Sequence, residues 1–172
     1  KNITYLKIKN IEDTQNSSIH IPRLSEMLQS AEKPILLIGS QVLQVPKQDE
    51  ELADAIRELN IPAFVSGMAR GLLSKSDLPI FRHQRKKALK EADLVILAGV
   101  PCDFRLDYGR VINRQAKIIS INLSRGDMYL NRRPVRGILT EPGSFLVNWN
   151  KIEKNKPVNK WDNWHQKLAK RN

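Results

Sequence analysis

Five short apolar-rich runs punctuate the chain: Pro34 to Ile38, Pro62 to Val65, Leu94 to Ala98, Lys117 to Asn122 and Gly137 to Thr140. The first three stop at Gly39, Ser66-Gly67 and Gly99. Continuous rather than alternating apolarity is what a parallel strand needs when both its faces are covered. Between the runs the spacing turns helical. Leu24, Met27 and Leu28 follow Ile21-Pro22 at i, i+3 and i+4, which predicts a helix with Pro22 in its first turn. Leu52, Ala55, Ile56 and Leu59 line one face of a second helix that opens at Pro46 and closes at Asn60. Residues 83 to 92 predict a third helix, and Pro142 to Trp149 a last one. Strand and helix alternate throughout. That order predicts an α/β domain: a doubly wound, mainly parallel Rossmann-like sheet with helices on both faces.

The flanks read differently. Residues 1–21 are polar with weak alternation and predict an extended arm, leaving 22–150 as the domain. Residues 150 to 160 (NKIEKNKPVNK) read as a solvated linker. Beyond it, Trp161, Trp164 and Leu168 make an amphipathic helix for which the pattern leaves no partner in the chain. Residues 151–172 therefore read as a linker and the start of a following domain.

Composition sharpens this picture. A chain of 172 residues can bury an ordinary core without staples. A single cysteine excludes an internal disulfide framework and suggests an intracellular setting. No apolar run approaches the ~18 residues of a membrane span. The chain opens at Lys1 without Met or a signal-like segment, and reads as a piece of a longer protein. The net charge of +11 invites a nucleic-acid reading. Its distribution argues against one, since residues 151–172 hold seven Lys/Arg against two acids. Further cations gather at Arg82, Arg85, Lys86, Lys87 and Lys90, and at Arg132, Arg133 and Arg136. No aromatic residues interleave with them to stack bases.

Ligands of an open parallel sheet sit beyond the carboxyl ends of its strands, where the strand order reverses. Here those ends carry Gly39-Ser40-Gln41, Gly67-Met68-Ala69 with Arg70, Gly99 to Arg105 including Asp103, and Asn122-Leu123 with Arg125. Glycine permits close approach of backbone or ligand. The arginines can hold phosphates in bidentate fashion. Asp103 or Asn122 can accept from a ribose or adenine. The set outlines a nucleotide-shaped slot, although each glycine alone is equally well a turn.

Other chemistry is poorly represented. GSQVLQ stands where a G-x-G-x-x-G would follow the first strand, and no P-loop motif occurs. His20, His83 and His165 are scattered, and one cysteine cannot build a zinc site. Cys102 has no base beside it in sequence and reads as a structural thiol. No catalytic residue and no metal ligand is predicted.

Taken in order, LSEMLQSAEKPILLIGSQ (24–41), IPAFVSGMARGLL (61–73), ALKEADLVILAGVPCDFRLDYG (88–109), KIISINLSRGDMYLN (117–131) and RGILTEPGSFL (136–146) resemble a known family. It is the central domain of thiamine-diphosphate-dependent enzymes of the acetolactate synthase and 2-hydroxyacyl-CoA lyase group. The resemblance covers about residues 22 to 150, and the tail WDNWH resembles the lead-in to the family's third domain. It implies a parent that makes or breaks a carbon–carbon bond next to a carbonyl, on 2-hydroxyacyl-CoA or 2-keto acids. Thiamine diphosphate and Mg2+ would be held by flanking pyrimidine- and diphosphate-binding domains, so this piece alone would be inactive. The parent would be a homodimer or tetramer. Relatives occupy cytosol, mitochondria, peroxisomes and the endoplasmic-reticulum membrane.

In some members the central domain holds FAD or ADP, or lies near CoA; in others it is a spacer. Carried over by position, the slot would comprise Gly39, Ser40, Gln41, Gly67, Met68, Ala69, Gly99, Asp103, Arg105, Asn122 and Leu123. Ser40-Gln41 depart from the Gly-Gly of FAD-binding members, and Asn122 and Ser124 replace acids. A retained ADP, CoA or FAD contact and a structural role both stay open.

Two other classes compete. A basic interaction module would bind nucleic acid, an acidic partner or an anionic membrane surface, with steep salt dependence. A sirtuin-like deacylase would need a Gly-Ala-Gly loop, a catalytic His and usually four zinc cysteines, which the chain lacks.

Overall fold

A computed structural model describes residues 14–44, 49–71, 77–153 and 160–171. Among the described residues six parallel strands form one sheet: β1 (Pro34–Ile38), β2 (Ala63–Val65), β3 (Ile80–Phe81), β4 (Leu94–Ala98), β5 (Lys117–Asn122) and β6 (Arg136–Leu139). Their order is β3-β2-β1-β4-β5-β6, so the order in which the chain adds strands reverses between β1 and β4. This is the doubly wound α/β architecture that strand–helix alternation predicts. All five residues of β1 and of β4 are buried, as their unbroken apolarity requires. In register, Leu36 pairs with Ile96 and Ile96 with Ile119.

The helices are α1 (Thr14–Ser30), α2 (Asp49–Leu59), α3 (Arg85–Glu91), α4 (Arg125–Met128), α5 (Pro142–Ile152) and α6 (Asp162–Ala169). α5 packs against both α1 and α2. Glu141 caps α5 by accepting from the amides of Gly143 and Ser144, and Pro142 fills the first helical position. Asn60 closes α2 in the left-handed conformation at φ 50°, and its amide bonds the Ile56 carbonyl.

Four expectations need correction. The arm expected over residues 1–21 is helical from Thr14; residues 1–13 lie outside the described ones. Pro22 is therefore inside α1 rather than in its first turn. Its ring faces solvent while Ile21 and Leu24 are buried, so packing sustains the helix across the lost amide donor. β3 was not predicted, because a two-residue edge strand carries no periodic signal. Lastly, α6 does not lack a partner. Trp161, Trp164 and Leu168 are buried, and the indole N–H groups donate to Ala31 O at 3.0 Å and Pro34 O at 3.1 Å. α6 thus seals the amino-terminal edge of the sheet, opposite the loops considered next. Glu91 and Asp93, at the end of α3 and just past it, tie this edge together. Glu91 pairs with Lys167 and Arg171, and Asp93 accepts the amides of Glu32 and Lys33 just before β1. The predicted opening of α2 at Pro46 and most of the linker lie outside the described residues.

Candidate functional site: the crevice between β1 and β4

The reversal of strand order brings the loops after β1, β2, β4 and β5 side by side. They meet closely. A Cβ on Gly39 would stand 2.1 Å from the Gly99 carbonyl oxygen. Gly99 has φ +68°, and a Cβ there would meet the Gln41 Cβ at 2.7 Å. Gly67 has φ +61°, with the Ser40 hydroxyl 2.4 Å from the place of its missing Cβ. The glycines do create room, and the chain's own side chains fill it.

Two polar side chains carry out the filling. Ser40 Oγ accepts the Met68 amide at 3.1 Å, tying the loop after β1 to the loop after β2. Gln41 reaches the other way. Its Oε1 accepts the Leu123 amide at 3.1 Å and its Nε2 donates to Asp127 at 3.3 Å. Ser40 and Gln41, both among the residues expected to line the slot, occupy the space between Gly39, Gly67 and Gly99. Met68 points outward and is exposed, whereas Ala69 is fully buried.

Asp103 and Arg105 pair with each other. Asp103 opens a short 3-10 turn and accepts the Arg105 amide at 2.9 Å. The guanidinium returns bidentate, with Nη2 2.6 Å from Oδ2 and Nε 3.1 Å from Oδ1. Burial opposes ionisation of Asp103, but the bonds from Arg105 outweigh it and hold the carboxyl below its ordinary value. Past this pair the backbone stays left-handed through Asp107, Tyr108 and Gly109 (φ 48°, 54° and 81°). Arg132 holds that turn by donating to the Gly109 and Ile112 carbonyls.

Asn122 lies behind the crevice and is fully buried. Its Nδ2 donates to Ser120 Oγ at 2.8 Å, while Oδ1 accepts nothing among the described residues. Cys102 is buried too, which pushes its thiol up to about 11; the nearby Arg132 charge only partly opposes this. So placed, it is not a nucleophile.

Among the described residues no group of three or more His, Cys, Asp or Glu could hold a metal ion. Sequence reasoning missed Asp127 and Arg132, whose roles arise from contacts between distant loops. It read Arg82, Arg85 and Lys86 only as part of a cation cluster, whereas they border a cavity with Phe64 and Phe81.

Comparison with known proteins agrees with this geometry. The description "Thiamine pyrophosphate enzyme, central domain" matches residues 21–148. The chain is 45% identical over 137 residues to 2-hydroxyacyl-CoA lyase 2 of Bos taurus, covering 77% of this chain and 22% of that protein. It is 33% identical over 99 residues to acetolactate synthase large subunit IlvG of Mycobacterium tuberculosis, covering 58% and 18%. The chain thus spans about a quarter or less of the curated relatives. The fold also resembles the Rhodococcus jostii RHA1 thiamine diphosphate-dependent 4-hydroxybenzoylformate decarboxylase, with a TM-score of 0.58 and 19% identity. That likeness covers 82% of this chain and 28% of the other. With this match over residues 21–148, the chain belongs to the family of thiamine pyrophosphate enzyme central domains.

Proposed function

We propose that the chain is the central domain of a thiamine-diphosphate-dependent carbon–carbon lyase or ligase acting on 2-hydroxyacyl-CoA or 2-keto acids. The 45% identity to a 2-hydroxyacyl-CoA lyase 2 supports this reading most strongly. Thiamine diphosphate and Mg2+ would be bound by flanking pyrimidine- and diphosphate-binding domains, in a homodimer or tetramer. Residues 22–150 form the domain body, with 151–172 leading toward the next domain. The chain itself contributes rigidity and no catalytic residue. Gln41 supports that reading: its side chain, beside Gly99 just past the end of β1, is bonded on both sides to the chain. FAD or ADP in this crevice is therefore disfavoured, and a structural role is preferred.

A chimera tests the reading. Residues 21–148 would replace the matching segment of the Bos taurus lyase. Thiamine-diphosphate-dependent cleavage of a 2-hydroxyacyl-CoA by the chimera, and none by the 172-residue chain, is the expected result. A folded chimera that binds thiamine diphosphate yet cleaves nothing, or cleavage by the chain alone, rejects it.

A further inference from the structure

A second hollow opens on the flank of the sheet, and none of the residues expected to line the crevice borders it. It lies between two connections that run back toward the starts of β5 and β6. One holds Gly109 to Arg114 and reaches β5 at Lys117. The other holds Asn131 and Arg132 and leads to Val135, whose amide bonds the Ile118 carbonyl at 2.8 Å. Arg110, Arg114 and Arg132 line the hollow with Tyr108, and no carboxylate does so among the described residues. Its volume is about 490 Å³, too large for a lone small anion to fill, since a water occupies only ~30 Å³.

Arg132 anchors the hollow. It is half-buried and donates to the carbonyls of Gly109 at 3.0 Å, Ile112 at 3.3 Å and Asn113 at 3.4 Å. Carbonyls satisfy its donors without neutralising its charge. Among the described residues Arg110 alone of the three arginines has an acidic partner, Asp107 at 2.9 Å. Arg133 and Arg136 stand exposed on the second connection and add to the positive field. Guanidinium groups meet carboxylates with two parallel bonds. The same surface is also apolar. Tyr108 is held outward by a left-handed backbone at φ 54°, a conformation that bulky residues seldom adopt and that clusters at ligand clamps. Tyr129, Leu130 and Val135 stand exposed on the second connection. Half of the large apolar side chains exposed among the described residues thus lie on these two connections, and such a concentration marks an interaction surface. Like charge on a chain of net charge +11 disfavours a second copy as its occupant.

We propose that this face docks an acidic segment of a partner protein, a stretch in which carboxylates are interspersed with apolar residues. Its carboxylates seat on Arg110, Arg114 and Arg132, and its apolar side chains lie against Tyr108, Tyr129 and Leu130. Arginine and tyrosine are residue types that dominate the energetics of protein interfaces. The surface is separate from the closed crevice, and it does not depend on the reaction proposed for the longer protein.

Fluorescence anisotropy tests it, with a labelled peptide of Glu-Glu-Leu repeats titrated with the 172-residue chain at about 0.15 M salt. The peptide binds saturably, and peptides of Gln-Gln-Leu or Glu-Glu-Ser repeats bind at least about tenfold more weakly. The double variant R110Q/R114Q, altered only at exposed side chains, weakens binding by about tenfold. Tyr108→Asn removes the ring but suits the left-handed backbone, and it weakens binding severalfold. K33Q/K170Q makes the same change of charge at the amino-terminal edge of the sheet and leaves affinity unchanged. The proposal is overturned if the Glu-Glu-Leu peptide does not bind at about millimolar concentration, or if R110Q/R114Q binds it like the wild type. It is also overturned if K33Q/K170Q weakens binding equally, which would mean a diffuse field. Two further results reject it: displacement of the peptide by inorganic phosphate or ADP at equal concentration, which would mean a small-anion site, and tighter, Arg110- and Arg114-dependent binding to phosphatidylserine vesicles, which would mean a membrane surface.

Discussion

The side-chain carbonyl of Gln41 accepts the backbone N–H of Leu123 at 3.1 Å, joining two loops 82 residues apart across the end of β4. This bond sits where a doubly wound sheet ordinarily receives its ligand. Gln41→Ala leaves the Leu123 amide without its acceptor and opens space beside Gly99. A loss of about 1–3 kcal/mol is expected, read as a lower urea midpoint with unchanged slope. An unchanged midpoint would mean that the bond contributes nothing.

The closure also depends on Gly39. Gly39→Ala drives a methyl group to 2.1 Å from the backbone oxygen of Gly99, which no rotamer relieves. Gly71→Ala meets nothing nearer than 3.9 Å. Thermal denaturation should show Gly39→Ala costing more than about 3 kcal/mol, with Gly71→Ala close to wild type. Equal melting temperatures for the two would refute the close approach.

At the opposite edge, α6 is acid-sensitive. Burial holds His165 below its ordinary 6.5, against the Asn60 carbonyl and the Asp162 charge that pull upward. The imidazole is therefore neutral in the folded state where the unfolded chain begins to protonate. Its contribution is present above about pH 6.5 and is lost as pH falls through the lower folded value. Burial opposes ionisation of Glu91, but Lys167 and Arg171 hold its pKa below its ordinary 4.5, so its share is lost only at lower pH. Urea midpoints should fall in two stages on acidification, and His165→Gln should remove the first. Trp164→Ala should cost about 3–5 kcal/mol at neutral pH.

Cys102 should resist alkylation in the native protein. With its thiol near 11 and buried, the thiolate is scarce at pH 8 and screened from reagent. The unfolded chain ionises from about 9, so stability should decline between about pH 9 and 11. Cys102→Ala should flatten that decline. Rapid modification of the folded chain by iodoacetamide would contradict the assignment.

How far the sequence carries varies with the range of the interaction. Five of the six strands were legible as short apolar-rich runs, β1 and β4 by unbroken apolarity and β5 by its three isoleucines. β3 was invisible because Ile80 and Phe81 are too few to show a period. The slot loops were legible as strand ends with glycines. That Ser40 and Gln41 close them was not, since this depends on where Leu123, Asp127 and Met68 arrive in space. The α6 tryptophans signalled an amphipathic helix correctly. Their partners, Ala31 and Pro34, lie 130 residues away, beyond any local pattern.

The position of β1 between β2 and β4 also has a consequence for biosynthesis. A ribosome delivers strands in chain order, so β1 can pair with β2 long before Leu94 to Ala98 emerge. Through that interval one long edge of β1 stays open, and it belongs to a strand of five apolar residues. Non-local parallel pairing is slow to form. The hazard of aggregation is thus concentrated in time, between the emergence of β2 and of β4. That is the window in which a holding chaperone would protect the nascent chain.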